Sequence, residues 1–92
     1  MRVSKQKLVD GVLALNLSLG RSTVAMTDNG KHVVGHIALD HNHIGYQLEE
    51  HLTPEGSVYN ITNRMTAREM SIYICGMING IALRNHQLNK SS

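Results

Sequence analysis

The sequence predicts an α+β domain with an N-terminal helix, a four-stranded antiparallel meander and a C-terminal helix. Three observations carry this expectation. Apolar residues recur at helical spacing up to Gly20. From Ser22 the period changes to two, with turn signals between the runs. A capping box at Thr66 and Glu69 then opens a second helical run.

Leu8, Val12, Leu15 and Leu19 lie on one helical stripe, with Val9 and Leu13 on its shoulder. Ser4 is positioned to cap this helix and Gly20 to stop it. Gly11 weakens it by about 1 kcal/mol relative to Ala. Leu13, Leu15, Leu17 and Leu19 also alternate as a strand would, but the helix accounts for more of the apolar residues. Ser22–Thr27 then reads as a strand, Asp28-Asn29-Gly30 as a type I′ hairpin turn, and Lys31–Leu39 as its partner. His41-Asn42 leads into a third strand, His43–Thr53. Thr53-Pro54-Glu55-Gly56 forms a turn, and Ser57–Thr62 returns as the fourth strand. In the last helix Met65 and Met70 supply a hydrophobic staple, and Met70, Tyr73, Ile74, Met77, Ile78 and Ile81 its apolar stripe. Asn85 is the expected terminator, which gives a domain over residues 1–85 and a flexible polar tail over 86–92. Gly76 and Gly80, one turn apart, are expected to permit close approach of the sheet or a neighbouring helix.

Ninety-two residues with a 41% apolar share support one modest core, which must be aliphatic, since Trp and Phe are absent and the aromatics are Tyr46, Tyr59 and Tyr73. A chain this short leaves apolar surface uncovered, so a homo-oligomer is expected. The net charge of +2 is small and its basic residues are dispersed, which argues against a dedicated duplex binder. Cys75 is the single cysteine. It forms no disulfide framework, and its apolar neighbours predict a buried, reduced thiol. No run is long enough to span a membrane, and the basic start lacks a signal-peptide pattern, so a cytoplasmic protein is expected.

Two clusters could carry chemistry. A two-residue loop at His41-Asn42 would pair Asp40 with His43, placing His36 opposite Gln47 and His32 opposite His51. The resulting polar face carries His32, His36, Glu49 and His51, groups that suit a transition metal. Alternation alone also produces such a face, and a solvated or protomer-facing surface is the expectation. Glu50 falls on the apolar face of the third strand. It could pair with Arg21 or Arg64 or be turned outward by a bulge near the turn, and a bulge or a strand-end position is expected. The second cluster is Asn63, Arg64, Thr66 and Arg68 at the start of the last helix, where free N–H groups and guanidinium forks favour an anion or phosphorylated ligand. No Gly-rich phosphate loop, nucleophile elbow or paired-carboxylate motif is present, no cofactor is implied, and the chain is expected not to be an enzyme.

Several landmarks occur in a familiar order: Leu15-Asn16, Leu19-Gly20-Arg21, Gly35-His36, Leu39-Asp40, Gly45-Tyr46-Gln47-Leu48, Gly56 and Arg64 to Glu69. The arrangement, over Leu8 to Leu83, resembles small accessory proteins of tailed bacteriophages and prophages. Those proteins often carry Asn-Glu-Gly-Gly-Gly where this chain has Thr53-Pro54-Glu55-Gly56-Ser57, and a second glycine where it has Ile44. The resemblance implies a phage or prophage origin and supplies no catalytic residue.

Three functional readings follow. The first is a non-enzymatic phage binding protein, an oligomer that inhibits a host protein or sequesters a small ligand against host defence. The second is a nucleic-acid-associated protein using Arg64 and Arg68, and the third a metal-dependent hydrolase using the His/Glu face.

Overall fold

A computed structural model describes residues 3–91, and side chains as far as Leu88. The chain forms helix α1 (Lys5–Ser18), strands β1 (Ile37–Asn42), β2 (Gly45–His51) and β3 (Val58–Asn60), and helix α2 (Ala67–Ser91). The strands make one antiparallel sheet in the order β1-β2-β3. Helix α1 packs against β1 and α2, and α2 also packs against β2. Leu8, Val12 and Leu15 of α1 thereby meet Ile37, Leu48, Met70 and Ile74 in a single aliphatic core.

Both ends of α1 are built as the sequence predicts. The Ser4 hydroxyl accepts the Lys7 amide at 3.2 Å. After the C-cap Leu19, Gly20 adopts a φ of +69°, with its amide bonded to the Leu17 carbonyl and that of Arg21 to the Asn16 carbonyl. This pair of bonds is a Schellman motif, and the left-handed residue it requires is the glycine. Leu19 itself is exposed, and the fourth buried position of the helix belongs to Asn16.

Asn16 is 1% exposed and fully bonded. Its amide nitrogen donates to the carbonyls of Ile37 (2.9 Å) and Val12 (3.1 Å), and its oxygen accepts the Ile37 amide at 2.9 Å. Ile37 stands opposite Glu50 on β2, while the neighbouring bonds run between His51 and the Gly35–His36 pair. The N–H and C=O of Ile37 therefore point to the outer edge of the sheet. A side chain on a helix occupies the place where another strand would bond.

The predicted first strand is replaced by an irregular ribbon, so the sheet has three strands rather than four. Residues 25–33 make backbone bonds Thr27 to Lys31 and Val33 to Ala25, around a single bridge between Met26 and His32. The turn within them is closed by the Gly30 amide on the Thr27 carbonyl, with φ +76° at Gly30 and no positive φ at any non-glycine residue. That excludes the predicted type I′ turn, which needs two positive φ values, and matches a longer loop ending on a left-handed glycine. The ribbon cannot continue into β1 because the chain turns at Val33–His36. Gly35 has φ +88°, the His36 amide reaches the Val33 carbonyl, and Gly35 and His36 together oppose His51. This is a G1 bulge following a turn with its glycine in the third position.

The β1–β2 loop also lies two residues later than predicted. Asn42 pairs with Gly45, leaving His43 and Ile44 as the loop, because the Asn42 side chain accepts the amides of Ile44 and Gly45. Glu50 sits within a regular strand and forms an ion pair with Arg21 at 3.1 Å, so the bulge expected there is absent and lies across the sheet at Gly35. The Thr53–Gly56 turn forms as predicted, closed by the Gly56 amide on the Thr53 carbonyl.

Helix α2 opens on the predicted capping box: the Glu69 amide donates to the Thr66 hydroxyl, and the Glu69 carboxylate accepts the Thr66 amide. The helix runs to Ser91 and does not terminate at Asn85. Close helix packing falls at Gly11, where an added Cβ would lie 3.1 Å from Ile74 Cγ2. At Gly76 and Gly80 an added Cβ would meet nothing within 4 Å, so their side of α2 is open. Cys75 is exposed, one position round the helix from buried Ile74, and does not point into the core as the sequence suggested.

Two substitutions test this fold. Asn16→Leu should lower unfolding free energy by about 2–4 kcal/mol in a denaturant titration, since it orphans both backbone groups of Ile37. Gly45→Ala should cost about 1–3 kcal/mol, because its Cβ would fall 2.6 Å from the Met65 carbonyl oxygen at a φ of +153°.

Candidate functional site

The start of α2 does not assemble the predicted anion cluster into one site. Arg64 turns toward the β1–β2 hairpin, where it forms an ion pair with Asp40 and donates to the Gly45 carbonyl at 3.3 Å. Its charge is thus neutralised within the fold. It clamps a segment already fixed by paired bonds between Tyr46 and Met65. Arg68 is exposed and borders a shallow depression with Lys7, Ser71 and Ile72, on the side facing α1. Asn63 is exposed, and the Thr66 hydroxyl accepts from Glu69. The Glu69 carboxyl is held below its usual range by the Thr66 amide and then by the Thr66 hydroxyl, which keeps a negative charge at this helix end.

The histidine face assembles in a different register. His36 meets His51 through the Gly35–His36 bulge, where Gln47 was expected, and His32 arrives from the ribbon. The His32 and His51 rings are edge to face at 4.7 Å, and His36 lies 5.3 Å from His51. This face is covered: His36 and His51 are 8% and 5% exposed. The chain's own ribbon takes the place expected for solvent or a second protomer. Among the described residues, no group of three His, Cys, Asp or Glu side chains has a geometry that could hold a metal ion. Glu49 is drawn elsewhere. Burial and then repulsion from Asp40 raise its pKa, against an opposing pull from Arg64.

Two apolar features lie outside these clusters, and only the second was signalled in the sequence, by Gly76 and Gly80. A cleft of about 300 Å³ lies between α1 and β1, walled by Val9, Leu13, Ala38 and Leu39, with Thr23 and His36 also in its lining. It exists because Asn16 fixes α1 at the sheet edge while Val9 and Leu13 remain about half exposed. The other feature is the outer face of α2. Ile72, Gly76, Gly80 and Leu83 follow each other at intervals of four, four and three residues, beside Tyr73, and Ile72 and Leu83 are 65% and 59% exposed. The apolar stripe read from the sequence mixed Tyr73 with the core residues, because one helical period cannot separate two apolar faces of the same helix.

No protein-family model, curated protein or solved structure matches this chain.

The two arginines should separate experimentally. Arg64→Gln should cost about 1 kcal/mol of stability, since both partners of its ion pair are partly exposed, whereas Arg68→Gln should stay within about 0.5 kcal/mol. Equal melting temperatures for the two variants would contradict the structural role of Arg64.

Proposed function

We propose that this chain is a non-enzymatic binding protein that works as a homodimer, an accessory protein of the kind encoded by tailed phages. The outer face of α2 carries the proposal. This helix has one apolar face in the core and a second that none of the described residues covers.

The second face is self-complementary. When two copies of α2 cross antiparallel about Ile78, Gly76 meets Gly80 of the second copy and Tyr73 meets its Leu83, so each contact occurs twice, as a two-fold interface requires. The glycines let the backbones approach, and the flanking Tyr and Leu supply the area that excludes water. No charged residue lies between Glu69 and Arg84 on the helix, so pairing buries no unpaired charge at its centre. The phage origin rests on the order of landmarks from Leu15-Asn16 to Glu69. The cleft between α1 and β1, left free by such a dimer, is the surface available to a host protein or small ligand.

Light scattering at high micromolar concentration should give twice the chain mass. Leu83→Glu or Tyr73→Lys alone should yield monomers. The double variant should recover dimer, because the introduced ammonium of one copy then faces the introduced carboxylate of the other, a rescue specific to this antiparallel register. A monomer mass for the unaltered protein would overturn the dimer. In that case Gly76→Ala with Gly80→Ala should simply add about 1 kcal/mol of stability per site, as exposed helix positions do.

A further inference from the structure

We propose that His32, His36 and His51 form an acid-released clasp that holds the ribbon of residues 22–36 over the sheet and keeps Thr23 and His36 in the lining of the α1–β1 cleft. The ribbon is tied down around the three rings. His36 Nδ1 donates to the Ser22 carbonyl at 2.8 Å, and His51 Nδ1 donates to the Val33 carbonyl at 3.2 Å. The backbone adds the Gly35 amide on the His51 carbonyl, the His51 amide on the His36 carbonyl and the His32 amide on the Pro54 carbonyl. With Nδ1 donating, neutral His36 and His51 carry their lone pair on Nε2. His32 Nδ1 is buried with no hydrogen-bond partner, and its Nε2 side abuts Gly56.

The three imidazole rings pack against one another in a covered site. The groups that meet there from the ribbon, β1 and β2 are His32, His36 and His51. Glu49 shares the β2 face but interacts with Asp40 and Arg64. Glu55 in the adjoining turn is exposed, and Glu50 and Arg21 pair with one another. Among the described residues, the ion pairs are Arg21–Glu50 and Arg64–Asp40, so no carboxylate compensates a charge on the rings. Burial, then the proximity of His32, lowers the His51 pKa below the ordinary histidine value of 6.5, with His36 adding to the same effect and the bond to the Val33 carbonyl opposing it. The folded state therefore binds fewer protons than the released ribbon just below that value. The clasp is at full strength above it and weakens as the pH falls toward the depressed His51 value. Release of the ribbon removes Thr23 and His36 from the cleft lining.

Amide hydrogen exchange of the intact protein, corrected for intrinsic rates, tests this between about pH 7 and about pH 5. Protection of the His32, Val33, Gly35 and His51 amides should fall by up to about tenfold per pH unit for each proton taken up. The Ile61, Met65 and Met70 amides should keep theirs, and an apolar dye should gain fluorescence over the same range as the cleft opens. His32→Leu should make the loss shallower by removing the ring that stands edge to face with His51 and lowers its pKa. Constant protection across the range would overturn the clasp. So would parallel loss at all these amides, because that is global acid unfolding. The test is independent of dimer formation, which involves the opposite side of α2.

Discussion

The carboxamide of Asn16 is the constraint on which the architecture depends. It closes two hydrogen bonds with the backbone of Ile37 and a third within its own helix, in a fully buried position. Burial of aliphatic surface is non-directional and does not by itself select one height for a helix on a sheet. A bidentate amide pair does. It fixes the height of α1 on β1, and with it the meeting of Leu8, Val12 and Leu15 with Ile37 and Leu48. It also satisfies the outward groups of β1 at the point where an open edge would otherwise invite another strand.

That edge satisfaction leaves the preceding segment free for another use. Residues 22–36 do not extend the sheet; they fold across its end, turned by the Gly35 bulge, and cover His36 and His51. Arg21 anchors the start of this path, binding the Gly35 carbonyl and Glu50 immediately after the Schellman end of α1. The bulge is also why three histidines converge. Opposing two residues to one shifts which side chain meets His51, and the ribbon delivers the third ring from above.

The other side of the molecule follows a simpler logic. A helix of 25 residues is about 37 Å long at 1.5 Å per residue, more than a three-stranded sheet can cover. Its first turns bury Met70 and Ile74, while Leu83 and Leu88 are exposed beyond the core. Leaving a second apolar face of α2 uncovered has a cost in water, which the proposed two-fold partner would remove with the same residues from each copy.

Periodicity, capping chemistry and turn residues in the sequence by themselves determined both helix starts, the Gly20 stop, the Thr53–Gly56 turn and the antiparallel order of the strands. These are local: Ser4, Thr66 and Glu69 act within one turn, and Gly20 only has to accept a left-handed φ. The site residues were legible as types but not as arrangements. His32, His36 and His51 share one face in the sequence reading, yet their meeting depends on the position of the Asn42 loop and on the Gly35 bulge. Gly35 inside an apparent strand was the available signal for that bulge. Arg64 and Arg68 appear as a pair in the chain but diverge in space, because Asp40, 24 residues earlier, captures one of them. Only the tertiary structure decided that Asn16 would bond Ile37, that Gly11 rather than Gly76 or Gly80 would face the other helix, and that Cys75 would point outward. Each outcome depends on which residue of another element arrives opposite, and a pattern read along one element does not contain that information.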